Sequence, residues 1–219
     1  MWCIQKIDKI YRLRMYDLLD LYEEPYNLQK PVVGFDEKPK QLLKDSRRPM
    51  PMKPGSPERY DYEYIRVGKA NIFVAVEPKA GKRTIKVTDR RGKKDFAQFI
   101  KHLADNIYPN ARKIRIVLDN LNTHTQKALH ETLGKQEAKR LLRKIEFHYT
   151  PKHASWLNIA EVEINVMDAE CTNRRISDKQ TLRQEVNAWA KRRNRQRKKI
   201  SWRFTKKDAD RKLSKYYVT

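Results

Sequence analysis

The spacing of apolar residues changes several times along the chain, and each change marks a boundary between predicted elements. Over residues 5–23, apolar residues recur at helical spacing with charges between them, which predicts an amphipathic helix. Pro25 and Pro31 end that pattern. Residues 32–35 then form a short apolar run, which predicts a buried strand that ends at Asp36.

The middle of the chain has the pattern of a β-meander that follows a loop. Residues 44–58 are rich in proline, which predicts an extended loop rather than a central strand. Residues 60–66 and 70–77 are strand-like, and Gly68 between them predicts a hairpin turn. Residues 83–88 add a further strand.

The second half of the chain alternates helix and strand. Helical spacing over residues 96–103 precedes an apolar strand at 114–118, which ends at Asp119. A second helix over 125–143, with a break at Gly134, precedes a strand at 145–149. The pattern therefore repeats a helix–strand unit.

From Trp156 onward the chain is predicted to be helical. The predicted helices cover 156–173, 178–198 and 205–217, and Asp178 and Thr205 are the predicted N-caps of the last two. A strand meander, two helix–strand units and terminal helices predict an α/β protein. Its expected architecture is a five-stranded mixed sheet flanked by helices with a C-terminal helical extension, the outline of an RNase H-like fold.

The charge of the chain points to a polyanionic partner. Among 219 residues there are 50 Lys and Arg against 27 Asp and Glu, which gives a formal net charge of +23. Such a charge attracts phosphate backbones by counterion release without selecting a sequence. The alternatives are a soluble basic protein with no nucleic-acid partner, and an anionic membrane surface, for which no strongly amphipathic basic terminus is present.

Other compositional features exclude several classes of protein. No run of apolar residues is long enough to span a membrane, and the first residues lack the apolar core of a signal peptide. Two cysteines, Cys3 and Cys171, cannot form a disulfide framework, and the absence of a CxxC motif argues against structural zinc. We therefore expect a reducing, intracellular compartment.

Two carboxylates directly follow the two most apolar short strands. Asp36 comes after residues 32–35 and Asp119 after residues 114–118. If these strands are parallel neighbours, the two side chains share one edge of the sheet, where they repel each other and attract a cation. Rigidly held oxygen ligands suit Mg²⁺ or Mn²⁺. The alternative is that each aspartate merely ends a strand and starts a turn.

A third carboxylate on the helix after residue 156 would complete a metal site. Glu161 shares a polar face with Asn158, whereas Glu163 lies nearer the apolar stripe of that helix. A catalytic acid that faces the sheet can interrupt an apolar stripe, so helical angles leave both glutamates open. Ordinary solvation of a helix is the alternative for both.

Three motifs, in order along the chain, resemble those of the DDE transposases of bacterial insertion sequences in the mariner-like superfamily. They are Val33-Gly-Phe-Asp36-Glu-Lys-Pro, Val117-Leu-Asp119-Asn-Leu-Asn-Thr-His124 and Thr150-Pro-Lys-His-Ala-Ser-Trp-Leu-Asn158-Ile-Ala-Glu161. The superfamily's Asn-x-x-Glu arrangement falls on Glu161, so the resemblance selects Glu161 over Glu163.

The resemblance implies a metal-dependent activity on DNA. Its reaction is phosphodiester cleavage followed by strand transfer, with two Mg²⁺ or Mn²⁺ ions held by Asp36, Asp119 and Glu161. The implied partners are transposon ends and target DNA, with a homodimer in the transposition complex, in the bacterial cytoplasm at the nucleoid. Five further motif residues are expected to support the acids or to position phosphate: Asn120, His124, Lys152, His153 and Asn158. The alternative is that these residues have purely structural roles.

A basic run over residues 191–199 follows the motifs. Its cations are Lys191, Arg192, Arg193, Arg195, Arg197, Lys198 and Lys199. We expect these residues to contact the DNA backbone. The alternative is a solvated helix end whose cations complement the helix dipole.

The resemblance covers nearly the whole chain but only the catalytic half of complete family members. We expect residues 1–30 to form a helical segment and linker, 31–175 the catalytic domain, and 176–219 basic helices packed on it. Complete members carry helix-turn-helix domains before the catalytic domain, so we expect a fragment, a decayed copy or a second reading frame. A nuclease or resolvase of the same fold, and a catalytically silent DNA-binding remnant, are the competing functions.

Overall fold

A computed structural model describes residues 6–218 of the chain, so Cys3 and the first residue of the predicted helix lie outside the described part. The five strands form one mixed sheet in the order β3-β2-β1-β4-β5. β2 is antiparallel to both of its neighbours, β1 and β3, whereas β4 is parallel to both β1 and β5. The strands are β1 (Val32–Asp45), β2 (Tyr64–Glu77), β3 (Lys82–Thr88), β4 (Ile114–Leu118) and β5 (Ile145–Tyr149). The predicted five-stranded mixed sheet is confirmed.

Seven α-helices flank this sheet in residues 6–218. They are α1 (Lys9–Glu23), α2 (Lys93–His102), α3 (Gln126–Leu133), α4 (Lys135–Lys144), α5 (Ile159–Met167), α6 (Lys179–Arg195) and α7 (Lys206–Leu213). The predicted break at Gly134 is confirmed, since its φ of 83° lies in the left-handed region and separates α3 from α4. Within this described part, no helix is both long enough and apolar enough to cross a bilayer.

Alternation along the central strands divides the core between the two faces of the sheet. Phe35 and Phe73 point to one face, where they pack with residues of α2, α3 and α4. Val74 and Val76 point to the other face, where α1, α5, α6 and α7 pack. The sheet is therefore covered on both faces, as expected for an α/β fold.

The predicted hairpin at Gly68 is wrong. β2 runs without interruption through that position and pairs with β1 along its length. The register shifts where Leu42 pairs with Gly68 and Leu43 pairs with Arg66, which leaves Val67 as the extra residue of a β-bulge. β1 also continues through Asp36 to Asp45 instead of ending at Asp36, because β2 pairs with it throughout.

The C-terminal helices are shorter than predicted, although their starts are right. Asp178 accepts a hydrogen bond from the Thr181 N–H (2.8 Å), and Thr205 forms a capping box with Asp208, so both predicted caps are confirmed. α6 ends at Arg195 rather than at residue 198. The predicted helix over 156–173 is a 3-10 turn, α5 and a π-helical turn in succession.

α6 lies along the free edge of β3. Asn194 accepts a hydrogen bond from the Arg83 N–H (2.7 Å) and donates one to the Arg83 carbonyl (2.8 Å). Close by, a Cβ added to Gly81, whose φ is 66°, would lie 2.6 Å from the backbone of Arg197. The residues after α6 are thus held against the turn between β2 and β3.

Candidate active site

The parallel pairing of β1 and β4 places the first two predicted acids side by side. The register matches Gly34 with Val117, and Asp36 and Asp119 each lie two residues beyond that pair. Asp36 is within β1, whereas Asp119 is the first residue after β4. Both carboxylates therefore lie just beyond the carboxyl end of the parallel β1–β4 pairing.

Helix α5 brings Glu161 to the same end of the β1–β4 pairing, where its charge acts on Asp36. A Cβ on Gly34 would lie 2.5 Å from Cγ2 of Ile159, so only glycine allows the start of α5 to lie this close to β1. Asn158 is the N-cap of α5, and its amide donates to the Phe35 carbonyl (2.8 Å) and to Oδ2 of Asp36 (3.3 Å). Asn158 thus joins the helix that carries Glu161 to the strand that carries Asp36.

The Asp36 carboxyl is close enough to the other two acids to be affected by their charges. Burial raises the pKa of Asp36 to about 7; the Glu37 N–H bonded to its carboxylate opposes this rise, and the negative charges of Asp119, Glu37 and Glu161 add to it. In residues 6–218, no three acidic, His or Cys side chains are already grouped tightly enough to ligate one ion. What suits these residues to a metal is therefore the type of their donor atoms. All three side chains are carboxylates, the ligands that Mg²⁺ and Mn²⁺ prefer.

Glu163, the other candidate on α5, has a different environment. Its side chain is fully buried and receives two hydrogen bonds from the guanidinium of Arg83 (2.7 and 2.9 Å). Nε of Arg193 donates to the same carboxylate (2.8 Å). Glu163 is therefore held within an ion-pair cluster, and the contacts favour Glu161 as the third acid.

His124 lies between two carboxylates and is fully buried. Its Nδ1 is 2.5 Å from Oδ1 of Asp119, and its Nε2 is 2.6 Å from Oε1 of Glu37. Burial alone would lower the pKa of His124, but the hydrogen bonds to Asp119 and Glu37 outweigh it and raise the pKa to about 9. The ring is thus cationic at neutral pH.

Glu37 was not predicted to belong to the site, although it follows Asp36 directly. Alternation along β1 turns Glu37 to the face of Phe35 and away from Asp36. The sequence did contain a sign of its role, because Glu37 is a charged residue at a position of the strand that faces the core. Tyr22 of α1 was missed as well; its hydroxyl donates to the Leu157 carbonyl (2.8 Å), at the start of α5, and nothing in the spacing of residues pointed to it.

Asn120 ties together the ends of two parallel strands. Its side-chain amide donates to the carbonyl of Thr150, just after β5, and its carbonyl accepts from Arg14 of α1 (3.0 Å). The Tyr149 hydroxyl donates to the carbonyl of His124 (2.9 Å) and holds the same loop. These bonds fix the backbone that follows Asp119.

Lys152 and His153 lie on the exposed loop between β5 and α5. His153 has a φ of 59°, in the left-handed region that is uncommon for residues with a Cβ. The loop continues through a 3-10 turn to Asn158, the N-cap of α5, and both side chains are exposed on the surface.

The basic run is exposed, with one exception. Its exposed cations are Lys191, Arg192, Arg195, Arg197, Lys198 and Lys199. The prediction that Arg193 faces DNA needs correction, because its side chain is only 13% exposed and pairs with Glu163 and Glu170. Arg192 also contacts Glu170 (3.1 Å) but stays more than half exposed.

The fold identifies the class to which this protein belongs. A five-stranded mixed sheet in this order, flanked by helices, is an RNase H-like fold. The sequence model of the DDE superfamily endonucleases matches residues 31–183, and the chain belongs to this family. The comparison with curated proteins returned no match.

Solved structures with a similar fold are transposase complexes. The chain is similar to the Mos1 transposase paired-end complex with the left transposon end (16% identity, TM-score 0.51, covering 87% of this chain and 57% of that one). It is also similar to a pre-cleavage Mos1 transpososome (15%, TM-score 0.54, covering 90% and 64%). A third match is the mariner Mos1 paired end complex with Mg (15%, TM-score 0.55, covering 100% and 66%). The chain thus spans less than two thirds of the length of these proteins.

Proposed function

We propose that this chain is the catalytic domain of a transposase that cleaves DNA strands and joins them to a target. The observation that carries the proposal is the proximity of Asp36, Asp119 and Glu161 at the carboxyl end of the β1–β4 pairing in an endonuclease-family fold. The finer assignment, to a bacterial insertion sequence acting at the nucleoid, rests on the sequence motifs.

The three acids would hold two divalent cations, either Mg²⁺ or Mn²⁺; the number of ions is the one that the sequence motifs imply. When bound, such ions activate the attacking oxygen and stabilise the leaving oxygen of a phosphodiester. Asp36 must be ionised to take part, and the repulsion from its acidic neighbours is relieved by a cation. Asn158 and Gly34 keep Glu161 next to Asp36.

The remaining predicted site residues would bind DNA. The exposed cations at the end of α6 and directly after it would neutralise phosphates, and Lys152 and His153 on the exposed loop before α5 would position the DNA backbone. One similar structure is a complex of the Mos1 transposase with the left transposon end. By analogy with it, and as the sequence motifs imply, this chain would bind transposon ends and target DNA as a homodimer.

The test is a strand-transfer assay on the wild-type chain and on Asp119→Asn. Pre-cleaved element ends, a target plasmid and Mg²⁺ should yield joined products with the wild type. Asp119→Asn should yield none and yet bind DNA as well or better, since the change removes a ligand and a negative charge beside phosphate. Nicks without joining would indicate a nuclease, and a gel shift alone would indicate a DNA-binding remnant.

A further inference from the structure

A chain of hydrogen bonds links the Asp119 carboxylate to the interior of the sheet. Asp119 and His124 belong to the loop after β4, whereas Glu37 is part of β1, which is paired on both sides at its start. The two contacts of the His124 ring, at 2.5 and 2.6 Å, connect that loop to the strand. Asp119 is thereby anchored to a rigid element.

The ring of His124 is held in one orientation by its apolar neighbours. The centroid of Phe35 is 5.2 Å away in an edge arrangement, and that of Phe96 is 4.9 Å away. Both hydrogen bonds that described residues make to the Asp119 carboxylate, from His124 and from the Leu121 N–H, end on Oδ1. Oδ2 is left for a ligand.

A buried carboxylate is costly to keep. The Glu37 side chain is 1% exposed, and its Oε2 has no hydrogen-bond partner in the described chain. Replacement of buried ionic groups by apolar residues of similar volume is often neutral or stabilising. Glu37 pairs across the sheet with Phe73, and Phe35 lies two residues away on the same face, so a leucine would have apolar neighbours there and stability alone does not account for a charge.

We propose that Glu37 and His124 are positioning residues that hold the Asp119 carboxylate in the orientation for binding a divalent cation. This inference rests on the proposed function, because it takes Asp119 to be a metal ligand. Groups that orient metal ligands typically change metal affinity or activity tenfold to a hundredfold when they are lost.

The test separates positioning from stability with the double variant Glu37→Leu/His124→Leu. The change removes both polar groups from an apolar site, so the free energy of unfolding should stay equal or rise. The Mn²⁺ dissociation constant of the free chain, from electron paramagnetic resonance of unbound Mn²⁺, should rise by about tenfold to a hundredfold. DNA affinity without metal should not change.

Glu37→Gln preserves the size of the side chain and a hydrogen bond to His124. This variant therefore tests whether Glu37 positions Asp119 even if the double variant fails to fold. We expect weaker Mn²⁺ binding than in the wild type, but stronger than in the double variant. The matched control is Glu77→Gln, another buried carboxylate with an oxygen that lacks a partner in the described chain; it lies three residues beyond Val74, the partner of Asp36. Glu77→Gln should leave Mn²⁺ binding unchanged.

Two results would overturn the inference. One is wild-type Mn²⁺ affinity in Glu37→Gln and in any folded double variant. The other is an equal loss of affinity in Glu77→Gln, which would indicate a general effect of buried charge. A wild-type chain that binds no Mn²⁺ and does not nick DNA would overturn the proposed function itself.

Discussion

Two glutamates that are two residues apart on α5 have opposite surroundings. Glu163→Gln should lower the free energy of unfolding by about 3 kcal/mol or more, because Arg83 stays buried without a full countercharge. Glu161→Gln should leave stability unchanged and lower the nicking rate by at least about a hundredfold, through loss of a metal ligand. Urea unfolding and a plasmid-nicking assay on both variants measure the two effects. Exchanged results would assign the catalytic role to Glu163.

The carboxyl of Asp36 makes stability depend on pH in the metal-free chain. Its pKa of about 7 in the folded state lies above the ordinary 3.8, so its contribution is full below 3.8 and is lost as pH rises through 7. The difference between these two pKa values corresponds to about 4 kcal/mol in the free energy of unfolding. With a chelator present, Asp36→Asn should therefore match the wild type near about pH 4 and be more stable above about pH 7.

Unfolding curves for both proteins across this pH range test the point. A gap between them that stays constant with pH would show that Asp36 is ionised as easily in the fold as in the unfolded chain. The same gap should close when Mg²⁺ is added at neutral pH, because a bound cation favours the ionised wild-type carboxylate.

Single-residue roles could be predicted from the sequence only where a motif carried them. Asp36 and Asp119 follow from their positions after apolar strands, and the structure places them together. The sequence did not separate Glu161 from Glu163 by spacing, because the countercharge of Glu163 comes from Arg83 and Arg193, far away along the chain. Long-range partners of this kind leave no local pattern.

Among the elements, the contact between α5 and β1 sets the distance between the acids. Gly34→Ala would place a Cβ 2.5 Å from Cγ2 of Ile159 and 3.0 Å from the Ala160 nitrogen, so α5 must shift. We expect a loss of about 1–3 kcal/mol in the free energy of unfolding and a lower nicking rate. The matched control is Gly68→Ala in the same sheet, where nothing lies within 4 Å of the added Cβ. Equal effects of both changes would contradict this role of Gly34.

The positions of the elements were predicted better than their ends. The starts of α6 and α7 carry capping side chains, Asp178 and Thr205, and local chemistry of that kind is visible in the sequence. Gly68 was taken for a turn because glycine permits turns, but a partner strand more than twenty residues earlier turns the same glycine into part of a bulge. Pairing between distant segments decides such cases.

At the scale of the whole molecule, charge predicts salt-sensitive binding to any DNA. Each phosphate neutralised contributes about −0.9 to the slope of log affinity against log salt. Replacement of Arg195, Arg197 and Lys198 by Gln should therefore flatten the slope by up to about 3, equally for a terminal-repeat duplex and a scrambled one.

The matched control removes the same charge elsewhere. Lys127, Lys135 and Lys139 are exposed on α3 and α4, which cover the face of the sheet opposite α6. Their replacement by Gln should change the slope much less. Equal flattening in both triple variants would show that total charge, rather than the cations at the end of α6 and directly after it, governs binding.

The hydrogen bonds between Asn194 and the edge of β3 have a consequence for shortened copies of the chain. A chain that ends at residue 183, where the family match ends, lacks Asn194 and leaves the Arg83 N–H and carbonyl unpaired at an open strand edge. Open edges recruit strands from other molecules. Such a copy should form aggregates, visible by light scattering, because α6 would no longer cover the edge of β3 and keep it from pairing with strands of other molecules.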